Sequence, residues 1–231
     1  MFSIKLADHI FRIDNKHDYV HELCQKYESN ESSGVLISVS DDEILREGTG
    51  TRSASYLESL AIYRKIAEYL IDHETILFHG SAIAVDNEAY LFAAPSGAGK
   101  SSHTRLWREL FGQRAVMIND DKPLLTITGS GVVVYGTPWD GKHHLSTNTS
   151  APLKAICFLE QSETNHIEPI APTAAWPMLI QQSYRPSDPA TLKKALSLVD
   201  RIGNSVKLYR LSCNMEPEAA EIAYHGMNEK G

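Results

Sequence analysis

Residues 89 to 111 read AYLFAAPSGAGKSSHTRLWRELF. An apolar run, a turn holding two glycines, and an amphipathic run that opens on a lysine leave few folds open. AYLFAA suits a buried strand, and KSSHTRLWRELF suits a helix closed by Gly112. Strand, glycine-rich loop and helix in that order make a phosphate-binding arrangement, whose general pattern is G-x-x-x-x-G-K-[ST]. Gly97 and Gly99 can adopt backbone angles that turn successive N–H groups to one side. The helix start adds the positive end of its dipole. Lys100 is spaced to reach the terminal phosphates of ATP, and the Ser101 hydroxyl to hold Mg²⁺. The expected phosphate contacts are therefore Ser96, Gly97, Ala98, Gly99, Lys100, Ser101 and Ser102. Ala94 stands where the pattern has its first glycine, which requires a negative φ at that residue.

Phosphate binding needs partners for chemistry, and the next apolar run supplies them. AVMINDDKP reads as a short buried strand ending on Asp120 and Asp121. A strand that ends on carboxylates beside a phosphate loop can present one to Mg²⁺ and leave the other to accept a proton. His79, in LFHGSA, falls on the expected strand ILFHGSAIAV, before the one that feeds the loop. It can move a proton, tune an aspartate or touch phosphate.

The remaining chain reads as an α/β or α+β domain, a mixed sheet flanked by helices. FSIKLADHIFRI and GVLISVS read as strands, and SASYLESLAIYRKIAEYLIDHE as a helix with a Ser55–Glu58 capping box. PLLTI and VVVYG form a hairpin about TGSG, and TPWDGKHHLSTNTSAP is a polar loop. LKAICFLE, HIEPIA and VKLYRL read as strands; TAAWPMLIQQSY, DPATLKKALSLVDRIG and EPEAAEIAYHGM read as helices. The organisation expected is residues 1–74 as strands and a helix packed on a catalytic domain of residues 75–231.

Composition narrows the partners. A net charge of −7 argues against nucleic acid, whose phosphates select basic faces. No run approaches the roughly 18 apolar residues of a membrane span, so no membrane partner is expected. Cys24, Cys157 and Cys213 are odd in number and widely spaced, as in a reduced, cytoplasmic protein.

Taken together, HGSAIAV, LFAAPSGAGKSS and VMINDD resemble the catalytic domain of HPr kinase/phosphorylase, whose fold is shared with phosphoenolpyruvate carboxykinase. The segments SSHTRLW, NDDKP and GTPWDGK also resemble bacterial HPr-kinase-like proteins. The resemblance implies a phosphoenolpyruvate carboxykinase-like P-loop kinase domain, with Ser96 to Ser101 as its phosphate loop. It implies His79 as the active-site histidine, Asp120 as general base, Asp121 as its neighbour at the metal, and a tendency to form homo-oligomers. The family's Glu-x-Arg-Gly-x-Gly segment is absent, and GTPWDGKHHLSTN stands in its place.

The expectation is an ATP- and Mg²⁺-dependent kinase with Asp120, His79 and Lys100 in catalysis, and Ser101, Asp121 and Asp120 about the metal. Its acceptor is a hydroxyl of a small molecule, peptide or protein. The alternative is an ATP-binding regulator that transfers no phosphate. In the loop Gly136 to His144, Trp139 offers a surface for stacking a base or substrate, and Lys142 a charge for a carboxylate or the γ-phosphate. His143 and His144, with His79 and His103, lack the spacing of a standard zinc site. Arg105 and Arg108 read as a solvated helix flank, and Arg185 as a remote phosphate clamp.

Overall fold

The computed structural model describes residues 1–48 and 51–229. The chain opens with β1 (Phe2–Leu6) and β2 (His9–Asp14), then α1 (Asp18–Cys24), β3 (Val35–Ser38), α2 (Asp41–Leu45) and α3 (Ala54–Ile71). β1 and β2 pair antiparallel and β3 joins β2 in parallel, a sheet of three. FSIKLADHIFRI is thus two strands. Ala7 and Asp8, both at positive φ, turn the chain between them. α1 and α2 fall in segments to which the sequence pattern assigned no element. The pattern for α1 is nonetheless in the sequence: Val20, Cys24 and Tyr27 recur at helical spacing and all are buried.

α3 is capped by Ser53, whose Oγ accepts the Tyr56 N–H at 3.3 Å. The Ser55–Glu58 capping box is not formed. Glu58 is instead fully buried, and its carboxylate takes the Lys16 N–H at 2.5 Å and the His17 N–H at 3.0 Å. A buried carboxylate needs such partners, and here they fix the entry to α1.

A nine-stranded mixed sheet follows, flanked by helices. In chain order its elements are β4 (Thr75–Leu77), β5 (Ser81–Val85), β6 (Glu88–Ala93), α4 (Lys100–Phe111), β7 (Ala115–Asn119), β8 (Leu124–Thr128), β9 (Gly131–Tyr135), β10 (Ser150–Gln161), β11 (His166–Pro169), α5 (Pro172–Gln182), α6 (Pro189–Ser205), β12 (Lys207–Cys213) and α7 (Glu218–Asn228). The strand order is β4-β8-β9-β10-β6-β5-β7, with β12 also on β10 and β11 beyond β12. β5 and β6 are buried on both faces, with alternate residues serving different cores. Ala82, Ala84, Leu91 and Ala93 pack with residues of α5 and α6, such as Leu179 and Leu198. Ile83, Val85, Tyr90 and Phe92 pack with Trp107 of α4 and Ala220 of α7. A third core joins the first sheet and α3 to Leu124 and Trp139.

The run ILFHGSAIAV is broken. β4 pairs with β8 and β5 with β6 and β7, so Phe78, His79 and Gly80 cross from one part of the sheet to another. His79 is therefore not on a strand. The C-terminal end of α5 holds the crossover, through His79 N–H to the Gln182 carbonyl at 2.7 Å and Tyr184 N–H to the Leu77 carbonyl at 2.9 Å. No described helix is long and apolar enough to cross a membrane.

Candidate functional site

The topology brings three chain segments to one end of the sheet. β5 lies between β6 and β7 and runs antiparallel to both. Its first residue, Ser81, pairs with Phe92 near the end of β6, and Ala82 pairs with Asn119 at the end of β7. The glycine loop leaves β6 and the acids leave β7 at the same edge, on either side of His79-Gly80-Ser81. A hydrogen-bonded chain joins them. Ser81 Oγ donates to Asp120 Oδ1 at 2.7 Å and lies 3.1 Å from Thr104 Oγ1, which in turn bonds the Lys100 carbonyl at 3.2 Å. The first turn of α4 is thus fastened to Asp120 through two buried hydroxyls.

Gly97 and Gly99 have φ of 81° and 103°, angles that a residue with Cβ resists. Ala94 is buried and is not among the residues of positive φ, as its place in the pattern requires. α4 starts directly after Gly99 with no side-chain cap, so its first N–H groups have no side-chain acceptor. Lys100 is buried, and its Nζ donates to the Ala94 carbonyl at 2.8 Å. Burial lowers its pKa, and the charges of Asp121 and Asp120 push it back up. Uncapped amides, two glycines of left-handed conformation and an ammonium held only by carbonyls fit a polyphosphate. Ser101, exposed at this helix start, and the two aspartates are hard oxygen donors of the kind Mg²⁺ takes. Among the described residues no three His, Cys, Asp or Glu side chains gather as a metal cage. Mg²⁺ bound with a nucleotide needs only one or two carboxylates.

The two aspartates differ. Asp120 is buried, with Oδ1 on Ser81; a Cβ on Gly141 would sit 3.0 Å from its Oδ2. Asp121 is partly exposed; it contacts the Lys122 ammonium and bonds His79 Nε2 at 3.3 Å. Burial alone would raise the Asp121 pKa, but the His79 hydrogen bond and the Lys122 ammonium overcome it and hold the group at about 2. His79 Nδ1 bonds Gln182 Oε1 at 2.7 Å, so α5 also orients the imidazole.

Several positioning residues escape a reading of the sequence. Asn119 is fully buried; its Oδ1 accepts the N–H groups of Asp121 at 2.8 Å and Lys122 at 2.7 Å, folding the acidic turn. Its amide donates to the Thr137 carbonyl at 3.0 Å, tying that turn to the loop after β9. Asn directly before Asp-Asp is the local signal; Ser81, Thr104 and Gln182 offer none.

Trp139 is not free to stack on a substrate base. It is buried, stacked on Tyr63 of α3 at 4.1 Å and 3°, and its Nε1 donates to the Ser59 carbonyl at 2.9 Å. The four histidines do not converge. His103 accepts from Trp107 Nε1 at 3.0 Å, and burial lowers its pKa to about 4. His144 bonds Asp140 at 3.0 Å. Arg105 and Arg108 line one cavity of about 400 Å³ with Ser101, Ser102, His143 and Leu145, so they do share a face. Arg185 donates to the Ile180 carbonyl at the end of α5.

A second cavity, of about 350 Å³, opens beside the acids. Asp121, Lys122 and the loop from Pro138 to Lys142 meet α1 and α3 there.

No protein-family model matches the chain, and no curated protein matches it. Among solved structures, the HPr(Ser) kinase/phosphatase from Coxiella burnetii is similar at a TM-score of 0.36 and 7% identity, over 65% of this chain and 95% of that one. Likeness at that level carries no argument about the site.

Proposed function

We propose that this chain is an ATP- and Mg²⁺-dependent kinase that transfers the γ-phosphoryl group to a hydroxyl acceptor. One observation carries this reading: a glycine loop and helix start built for polyphosphate stand at the same sheet edge as two aspartates, joined through Ser81 and Thr104. Ser96 to Ser102 hold the phosphates, with Lys100 leaving its carbonyl partners for an anion. Bound Mg²⁺ would be held by Ser101 with Asp121 or Asp120, and supplies charge that screens the phosphates. Asp121, ionised down to a pH of about 2, is a weak base and suits the metal side. Asp120 has one oxygen fixed by Ser81 and the other toward Gly141, and suits proton removal. The acceptor O–H gives its proton to Asp120 as its oxygen bonds to the γ-phosphorus, and ADP leaves with the electron pair of the broken P–O bond. His79 fixes Asp121 through one ring nitrogen and meets Gln182 with the other.

Incubation with γ-labelled ATP, Mg²⁺ and separate pools of metabolites, peptides and proteins tests the reading. Label moves to a hydroxyl acceptor, and Asp120→Asn lowers kcat by about 10²–10⁴ while nucleotide affinity changes little. Normal turnover by Asp120→Asn refutes the assignment of the base. ATP hydrolysis with no labelled acceptor in any pool favours a regulator.

A further inference from the structure

The cavity of about 350 Å³ beside Asp121 is lined on one side by Tyr19 and Leu23 of α1 and by Tyr56, Ser59 and Leu60 of α3. Its other side is Asp121, Lys122, Pro138, Trp139, Asp140, Gly141, Lys142 and His144. We propose that this cavity is the acceptor site of the kinase, and that it takes a small hydroxy acid with an apolar tail. The proposal rests on the kinase reading and deepens it.

Position comes first. Gly141 lies both in the cavity wall and against Asp120 Oδ2, the oxygen that Ser81 does not occupy. The cavity therefore ends against the glycine that backs onto the aspartate assigned as base, with Asp121, its neighbour in sequence, in the cavity wall. Charge comes second. Asp140 spends both oxygens inside the loop, on Ser146 and His144, and Lys122 is paired with Asp121. Lys142 is exposed and bonds no carboxylate among the described residues. Lys142 is thus the ammonium of the lining left without a carboxylate partner among the described residues, while the Asp140 carboxylate is buried in its own loop, and Lys142 offers an anionic group such as a carboxylate an ion pair. Shape comes third. The far wall is apolar or aromatic, from Tyr19, Leu23, Tyr56 and Leu60, all partly exposed. Its volume lies at the small end of the range for small-molecule pockets, roughly 300–1,000 Å³. A hydroxyl at Asp120, a carboxylate at Lys142 and an alkyl chain between α1 and α3 satisfy all three.

The test uses 3-hydroxyoctanoate, its amide 3-hydroxyoctanamide, and the shorter 3-hydroxybutanoate, titrated into the nucleotide-free protein by calorimetry. The expected result is that 3-hydroxyoctanoate binds at least tenfold more tightly than either of the others. Lys142→Ala removes the preference for acid over amide, and Leu60→Arg weakens the acid and the amide alike while the ATP Kd stays within twofold of wild type. With labelled ATP, the acid is phosphorylated and Lys142→Ala raises its KM without the equal loss in kcat for acid and amide that a γ-phosphate contact would give. Absence of acid binding, equal binding of acid and amide, unchanged discrimination in Lys142→Ala, or label entering only peptides or proteins each overturns the proposal. Acid binding with no measurable ATP affinity upholds the cavity and sinks the kinase reading; ATP binding without acid binding does the reverse.

Discussion

A carboxylate set between a histidine and a lysine titrates far from a free one, and Asp121 shows the consequence for stability. Burial opposes its ionisation, yet His79 and Lys122 hold its pKa at about 2 against an ordinary value of 3.8. Because folding lowers this pKa, protons bind the unfolded chain more tightly. The stabilisation is complete above a pH of about 4 and is lost as pH falls through about 2. Urea denaturation of the wild type and Asp121→Asn from pH 6 to pH 2 measures it. The wild type's advantage is constant down to about pH 4 and then shrinks; an advantage that persists unchanged at pH 2 contradicts the pairing. Asp121 itself was visible in the sequence as half of a doublet after an apolar run. Its partner's orientation was not, since His79 is fixed by Gln182, more than a hundred positions along the chain and on another element.

At the scale of elements, the loop between β9 and β10 sets the geometry of the acids. Asn119 and Thr137 bind it to the acidic turn, Asp140 braces it from within, and Gly141 leaves room for Asp120 Oδ2. A methyl group at position 141 would begin 3.0 Å from that oxygen, tighter than ordinary van der Waals contact, so Asp120 must move. Gly141→Ala is expected to lower kcat by about threefold to tenfold, since the oxygen must give by a few tenths of an ångström and a misplacement of 1 Å in a preorganised site costs roughly a hundredfold. Nucleotide Kd should stay within twofold, because the loop at Gly97–Ser101 is untouched. Steady-state kinetics beside calorimetry reads both; a normal kcat would show that Asp120 tolerates the crowding and is not held for catalysis. The glycine loop, α4 and the β8–β9 hairpin were legible from local chemistry: turn residues, a helical stripe, alternation. The loop's role was not. Its tryptophan looks like a recognition surface in sequence, and only the approach of Tyr63 from α3 turns it inward.

For the whole molecule, what sequence pattern does not encode is which strands become neighbours. ILFHGSAIAV has the β-branched content of one strand, but its two halves pair with β8 and with β6 and β7, and the crossover places His79 and Ser81 between the loop and the acids. β5 and β6 pack on both faces, a property of the assembled sheet rather than of either segment alone. The first three strands and α1 to α3 share a core with Leu124 and Trp139, so that part of the chain helps shape the ground beside Asp121. The central claim, that the edge between β6 and β7 grips a triphosphate, is most directly tested by titrating Mg²⁺-ATP into wild type and Lys100→Ala in a calorimeter. A charge-assisted hydrogen bond contributes about 1.5–3 kcal/mol, so the variant should bind roughly ten- to a hundredfold more weakly at an unchanged fold. Equal affinity in the two proteins, or no heat of binding from the wild type, would contradict it.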